Sequence, residues 1–426
     1  MSRHVIAAEP LTFVAILAVG LAACTGGDEP VVDAGDAAML DGAGANADAS
    51  SGKDSLDGNN PDALSGLDAT TMPLLAGTWR AGPCNDAAPC VVAGFDPIVD
   101  LGPGVESCLA DDSGGLIMIG RFHRTNGIAA RKIARWNGRG WMPLGDGLER
   151  FGEALAVHAG RIYAAGAFRR TGVDGTALSY VGQFDGESWS PLGTGFEGEG
   201  DREGYGRALV VWNGQLIAGG NFVRAGGKPA QHVALWDGKA WQPLGEGING
   251  PVHTFAVHEG RLIAAGKFSR AGLVDAANIA AWDGVKWHAL GTGIDDQAFG
   301  LAVHAGDLFV TGDFTRAGAR DARHVARWDG SAWHALSTGL NGPDKPFGRA
   351  LVSFEGHLIV GGNFTDAGGI AARRVAAWDG QRFSAVGAGL GNWIEGLTVY
   401  NRRLVACGWF NHAAEGGPLG FGFFDP

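Results

Sequence analysis

From about residue 97 to the end of the chain, apolar and polar residues alternate in short runs, and the runs recur. One unit shows the pattern. His253–Gly260, read as HTFAVHEG, alternates apolar and polar positions, and Arg261–Phe268 (RLIAAGKF) follows a tight Glu259-Gly260 turn. Two such runs around a turn predict a β-hairpin. A polar loop leads to Asn278–Gly284 (NIAAWDG) and then to Lys286–Gly293 (KWHALGTG), joined through Asp283-Gly284. Asp-Gly is a strong turn signal because both residues tolerate positive φ. Each unit is thus predicted to hold four short strands, and helical periodicity is nearly absent.

The unit is copied along the chain. Gly-x-Phe recurs at Gly120, Gly166, Gly220, Gly266, Gly312, Gly362 and Gly408. An aromatic-Asp/Asn-Gly phrase recurs at Trp136, Phe184, Trp236, Trp282, Trp328 and Trp378, with Phe424-Asp425 as a truncated last copy. Spacings of 46 to 54 residues suit propeller blades and are too long for leucine-rich or ankyrin repeats. Four strands per repeat, arranged radially, predict an all-β fold, a seven-bladed β-propeller of four-stranded blades. The last copy stops after its third strand, while Ile98–Gly104 (IVDLGPG) matches the fourth-strand phrase Trp-x-Pro-Leu-Gly-x-Gly. The expected solution is a ring closed by an N-terminal strand, here 98–104, which leaves no open edge between first and last blades. That closure would set Cys108 and Cys407 side by side as a disulfide candidate; the alternative is a pair of buried thiols.

The stretch AGGNFVRAGG…HVALWDGKAWQPLG, from Ala218 to Gly245, resembles kelch-type repeats, with glycines ending the second strand and an aromatic in each of the third and fourth. Its order Gly-x-Phe, Trp-Asp-Gly, Trp, Leu-Gly is similar to repeats of the fungal cortical polarity-marker family and of bacterial extracellular propellers. The resemblance covers residues 97–426. It implies the fold and almost nothing about function, because propellers host enzymes, lectins and scaffolds alike.

The other end of the chain is built differently. Arg3 and His4 make a basic start, and Leu11–Gly20 is an apolar run too short to span a bilayer, so a secretory signal is expected over 1–23. Leu21-Ala22-Ala23-Cys24 resembles the bacterial lipobox, which implies Cys24 as the lipid attachment site of the mature protein. Thr25 after it, rather than Asp, implies the outer membrane. Residues 25–75 hold ten acidic residues, one lysine (Lys53) and no aromatic, which is −9 of the formal −12. Such a segment cannot offset its ordering entropy by burial, and its self-repulsion extends it, so a disordered tether is expected.

The domain plan is therefore a signal (1–23), a lipidated cysteine with an acidic linker (24–75), a short cysteine-containing lead-in (76–96) and the propeller (97–426). Cys84 and Cys90 bracket CNDAAPC in that lead-in. They are a second disulfide candidate in an oxidising compartment, although spacing alone leaves connectivity open. No basic domain or run exists, which argues against nucleic-acid binding.

Candidate chemistry is sparse. G-x-G-x-x-G at Gly193–Gly198 and Gly245–Gly250 falls in blade-to-blade loops with no helix following, so no dinucleotide turn is expected. His158, His258 and His304 share the phrase AVH-x-G, where other units carry Trp212, Phe354 and Tyr400. Aromatic replacement fits packing at a hairpin end better than metal ligation. The kelch resemblance extends to galactose oxidase, whose copper site in that family needs tyrosines and histidines. Here Tyr163, Tyr180, Tyr205 and Tyr400 occupy different repeat positions and make no such set. With no HExxH, acidic calcium loop or G-x-S-x-G, no metal, cofactor or catalytic residue is expected.

One series stands out. Two residues after the Phe of Gly-x-Phe come Arg124, Arg170, Arg224, Arg270 and Arg316, broken by Asp366 and His412. On radial blades these guanidiniums share a face, where an arc of them would suit an anionic ligand. The alternative is that each arginine pairs locally and holds its own loop. The loops 195–207 and 339–349 are longer than their counterparts, and variable loops on a rigid frame commonly carry specificity.

Taken together, the sequence supports a lipid-anchored extracytoplasmic β-propeller of the cell envelope, acting as a non-catalytic binding or scaffolding module for a protein or glycan partner. The rivals are a propeller enzyme acting on polysaccharide at the channel mouth and a structural envelope protein with no ligand. Two buried carboxylates or a histidine cluster at the mouth would favour the enzyme; an arginine arc with backbone alone would favour binding.

Overall fold

The computed structural model describes residues 75, 77–80, 95–96, 104–125, 127–173, 175–410 and 420–425. The expected signal, the lipid site at Cys24, the acidic linker up to residue 74 and the Cys84–Cys90 loop lie outside them, while Leu75, counted with the linker, is buried and bridged to Val386. Among the described residues the chain is strand and turn, with no helix. Seven four-stranded antiparallel sheets follow one another. The third runs Gly206–Trp212, Gln215–Gly220, Val233–Trp236, Trp241–Pro243 from its inner to its outer edge. The inner strand of each sheet packs on that of the next, and Val105–Ala110 of the first also packs on Ile394–Tyr400 of the last. Repeated sheets arrayed through their inner strands make a β-propeller, and each sheet is a blade.

Alternation like that of HTFAVHEG ordinarily goes with one solvated face. Instead both faces are covered, and even His253 and Thr254 are buried. A blade lies between two others, so its inner strands meet protein on either side, and the neighbouring run Leu262–Ala265 is buried without interruption.

At the outer edge each sheet has an aromatic joint, with a tryptophan in the fourth strand of six sheets and Phe383 in the other. The fourth-strand tryptophan packs on the third-strand aromatic, with centroids 5.3 Å apart for Trp236–Trp241 and 5.2 Å for Trp328–Trp333. In five of the sheets the indole N–H crosses to the preceding one: Trp241 Nε1 donates to Leu192 O at 2.9 Å, and Trp333 Nε1 to Leu290 O at 2.9 Å. Between the two aromatics, Asp237 Oδ1 accepts from the Lys239 and Ala240 amides at 2.9 and 2.8 Å while Gly238 takes φ 94°. This self-contained turn explains why Asp-Gly recurs.

The last blade corrects one expectation. Its fourth strand is Thr78–Arg80, paired with Phe423–Asp425, and not 98–104. Trp79 fills the tryptophan position: its ring lies 5.3 Å from Phe424, and its Nε1 donates to Val386 O at 3.3 Å. The segment 98–104 matched the phrase through Leu-Gly-x-Gly but lacks the indole that makes the joint. The folded repeat thus begins ahead of residue 97, inside what read as a lead-in. Cys108 and Cys407 meet where first and last blades touch, and both are buried thiols. Gly396 makes their room, since a Cβ there would lie 2.7 Å from Cys407 Sγ and 3.6 Å from Cys108 Sγ.

Candidate functional site

In all seven four-stranded sheets the inner strand slips register at one point. Val252 pairs with Gly266 and Thr254 with Ala265, so the ladder skips His253. The same slip skips Glu106, Glu153, Arg207, Phe299, Arg349 and Glu395. One extra residue in a strand is a β-bulge, a device that re-aims a side chain. The residue facing each bulge is the glycine of Gly-x-Phe. A Cβ on Gly266 would stand 2.1 Å from Pro251 O, and one on Gly220 2.4 Å from Tyr205 O. Only a residue without Cβ lets the bulged backbone come so close. The repeated glycine therefore builds the bulge, and the bulged position is the one each blade fills differently.

The seven bulged residues form one polar layer with two halves. Glu395, Glu106 and Glu153 stand on the last, first and second blades; Arg207, His253, Phe299 and Arg349 occupy the third to sixth. All are between 1% and 6% exposed. Arg349 Nε lies 2.6 Å from Glu395 Oε2, Arg121 Nε 2.5 Å from Glu106 Oε1, and Arg207 Nη1 3.9 Å from Glu153 Oε2. Each guanidinium also meets an aromatic face. Arg121 stands 4.0 Å from the Phe151 centroid and 5.7 Å from Trp409, Arg207 4.9 Å from Tyr205, and Arg349 4.6 Å from Phe299 and 6.0 Å from Phe347.

The result is three stacks of carboxylate, guanidinium and aromatic ring. Pairing makes buried charge tolerable, and cation–π contact adds to it; the Glu153 pair, at 3.9 Å, lies beyond hydrogen-bond reach. Phe151, Tyr205, Phe347, Trp393 and Trp409 form a half-buried collar bordering the layer. Trp393 is tied to it by an Nε1–H donated to Glu395 Oε1 at 3.1 Å and lies 6.3 Å from Trp409.

The titratable groups report how closed this layer is. Burial pushes Glu153 up to about 7, helped by Glu106 and opposed by Arg207, Arg349 and Arg121. Influence from Arg349, four blades on, means that these side chains share one small space. Glu153 Oε2 is buried and lacks a hydrogen-bond donor. Burial, with Arg207, Arg349 and Lys267, holds His253 well below its ordinary value, so its imidazole is neutral at pH 7. Its Nδ1 lies 3.1 Å from Ala298 O, and its ring stacks on Phe299 at 5.8 Å. Burial and the charge of Arg121 bring Lys132 down to about 8, and its Nζ donates to Arg121 O at 3.0 Å. The carboxylates are thus sealed, whereas the collar can be touched.

The arginines singled out in the sequence stand elsewhere. Arg124, Arg224, Arg270 and Arg316 each open a two-residue strand of a small hairpin that packs on the fourth strand of its own blade, and Arg170 bridges to Ala177. All five are exposed, one to a blade. Arg124 and Arg224 donate to the carbonyls of Gly127 and Gly227. Arg170 lies 2.9 Å from Glu149, Arg224 3.4 Å from Glu197 and Arg316 3.7 Å from Asp321.

The AVH position serves the joints between blades. His258 Nε2 lies 2.9 Å from Gly306 O, His304 Nδ1 2.9 Å from Ser353 Oγ, and Tyr400 OH donates to Gly114 O at 3.1 Å, from the last blade to the first. Among the described residues no group of three or more His, Cys, Asp or Glu is arranged to hold a metal ion. A recess of about 530 Å³ on the third blade, lined by Lys228, Gln231 and Glu246 among others, is separate from the polar layer.

The bulged ring escaped the sequence reading. It lies thirteen residues before each Gly-x-Phe glycine (fourteen in the first unit), where a charged or aromatic residue interrupts an otherwise apolar strand. Superposing the seven units on that glycine would have exposed it.

No family model and no curated protein matches the chain. Among solved structures it is similar to the WD40 β-propeller domain of Doa1, at 12% identity and a TM-score of 0.48, covering 82% of this chain and 97% of that one. It is also similar to the computationally designed Ika8 protein, at 11% identity and a TM-score of 0.44, covering 78% and 99%. The fold rests on the strand pairing of the chain itself.

Proposed function

We propose that this chain is an exported cell-envelope protein, lipid-anchored at the outer membrane through Cys24, whose seven blades close into a ring. The ring serves as a non-catalytic binding module, with its partner at the channel mouth. The observation that carries this reading is the contrast within the site. Glu106 and Glu153 are buried beneath the collar, while Tyr205, Trp393 and Trp409 are half exposed. Three buried carboxylates, Glu106, Glu153 and Glu395, meet the condition set out for an enzyme, but at 1% to 6% exposure they are closed off, and general acid–base chemistry needs a carboxyl group within hydrogen-bond reach of the reacting atoms. Recognition needs rigid anchors locked by the layer beneath them, which the three stacks supply. In this reading the five rim arginines hold their own hairpins.

Closure of the ring is supported by Trp79 in the outer edge of the last blade and by the Tyr400 bond to Gly114. In an oxidising compartment Cys108 and Cys407 would add a covalent clasp at that joint. Each thiol gives up its proton, and the electron pair passes to an oxidised protein dithiol, which leaves as two thiols.

The test is capture of envelope proteins and a glycan array by the full chain. Capture is expected to be lost in Trp409→Ala and Tyr205→Ala. Hydrolysis of an envelope polysaccharide that disappears in Glu106→Gln or Glu153→Gln would replace this reading with the enzymatic one. Peptide masses before and after reduction report the clasp.

A further inference from the structure

We propose that Asn213-Gly214, the turn of the third blade's inner hairpin, is a site of spontaneous covalent modification. Its side-chain amide is lost through a succinimide, which leaves aspartyl and isoaspartyl chains, with no partner involved. Asn-Gly is open to this reaction because asparagine is thermolabile and glycine puts no side chain in the way of its own amide nitrogen. The pair occurs at Asn126, Asn137, Asn213, Asn249 and Asn341, of which Asn126 lies outside the described residues.

Exposure does not separate the others, since Asn137, Asn213 and Asn249 are all exposed. Hydrogen bonding does. Asn137 Oδ1 accepts from the Arg139 and Gly140 amides, both at 2.9 Å, and its Nδ2 meets Met142 Sδ at 3.2 Å. Asn249 Oδ1 accepts from the Ser269 and Arg270 amides at 3.0 and 2.9 Å, and its Nδ2 donates to Ser269 Oγ at 2.9 Å. Asn341 Nδ2 donates to Asp366 Oδ1 at 3.0 Å, and its Oδ1 accepts from Arg323 Nη1 at 3.2 Å. Each of these amides is fixed in place. The Asn213 side chain has no hydrogen-bond partner among the described residues. Asn213 sits at φ 48° and Gly214 at φ 73°, in a two-residue turn closed by the Trp212–Gln215 pair. A Cβ on Gly214 would meet nothing within 4 Å, so the reacting atoms have room.

In the first step the Gly214 nitrogen bonds to Asn213 Cγ and gives its proton to solvent base, while the Cγ–Nδ2 bond breaks and ammonia leaves. Water then cleaves one of the two ring C–N bonds. Cleavage at Cγ restores the ordinary peptide beside an aspartate; cleavage at the main-chain carbonyl leaves the backbone running through Cγ, one methylene longer. A carboxylate already stands at this turn position in Glu259 and Glu355, at φ 49° and 45°, so the aspartyl product fits. The extra methylene of the isoaspartyl product displaces the Trp212–Gln215 pair, and with it the bond from Trp212 Nε1 to Gly260 O of the next blade at 3.0 Å.

The experiment ages the full chain in mildly alkaline buffer, digests it, and follows the Asn-Gly peptides by mass, with isoaspartate read by enzymatic methyl transfer to its carboxyl group. The Asn213 peptide is expected to convert about tenfold or more faster than those of Asn137, Asn249 and Asn341, because each of these must first give up two or three hydrogen bonds. In concentrated urea the rates should converge. Asn213→Asp should melt with the unaged wild type, whereas the isoaspartyl fraction of the aged chain should melt lower. Equal rates in the folded chain overturn the proposal. A lead of Asn213 that survives in urea also overturns it, because the preference would then belong to the flanking residues and not to the fold. An isoaspartyl fraction that melts like the unaged chain overturns the loosening of the joint to the fourth blade.

Discussion

The two edges of a blade obey different rules. At the outer edge the third- and fourth-strand aromatics, the Asp-Gly turn and the indole bond to the preceding blade are repeated almost letter for letter, from Trp189 donating to Leu144 to Trp79 donating to Val386. At the inner edge the bulged position changes in nearly every blade, through glutamate, arginine, histidine and phenylalanine, although the bulge beneath it does not. The outer joint solves one packing problem seven times. The inner layer is a single problem solved once by seven residues together.

Mutations that break this contrast differ in size. Trp241→Ala empties a site that is almost wholly buried and should cost about 3–5 kcal/mol in urea unfolding. Trp241→Phe keeps the ring but frees Leu192 O, for a loss of about 1 kcal/mol. Arg349→Met leaves Glu395 buried without its ion-pair guanidinium and should cost about 3 kcal/mol or more, whereas Arg349→Met with Glu395→Leu should return close to wild-type stability. If the double variant proves no better than the single, the pair is not an isolated unit of the layer. Gly266→Ala drives a methyl onto Pro251 O and should cost about 2–3 kcal/mol.

One further effect depends on pH. Glu153 sits at about 7 in the fold against an ordinary value of 4.5. Its protonated form is the one the fold favours, so its contribution is fully present below pH 4.5 and is lost as pH rises through about 7. The urea midpoint of the wild type should fall between pH 5 and 8, and Glu153→Gln should remove on the order of 2 kcal/mol of that fall. Equal slopes in the two proteins would mean that Glu153 is charged in the fold throughout.

Much of the outer edge was legible in the chain. Asp237-Gly238, Trp236 and Trp241 announce a turn and two packed aromatics from local chemistry alone, and their spacing gives the four-strand unit. The fourth strand of the last blade was misread because Trp79 lies outside the regular spacing, and the match at 98–104 rested on glycines rather than on the indole. His258, His304 and Tyr400 read correctly as hairpin-end side chains, yet the carbonyls and hydroxyl that meet them belong to the next blade. The rim arginines drew attention because they repeat, and repetition tracks what each blade needs for itself.

Local pattern determines this protein as far as each blade: strand lengths, turns, the glycine of every Gly-x-Phe and the aromatics of the outer joint. These answer to neighbours close in the chain, and period and residue type suffice to show them. The polar layer was decided by tertiary structure alone. Glu153 and Arg349 are some two hundred residues apart in the sequence. Only the packing of all the inner strands, with a bulge re-aiming one residue from each, brings the two side chains into one buried layer.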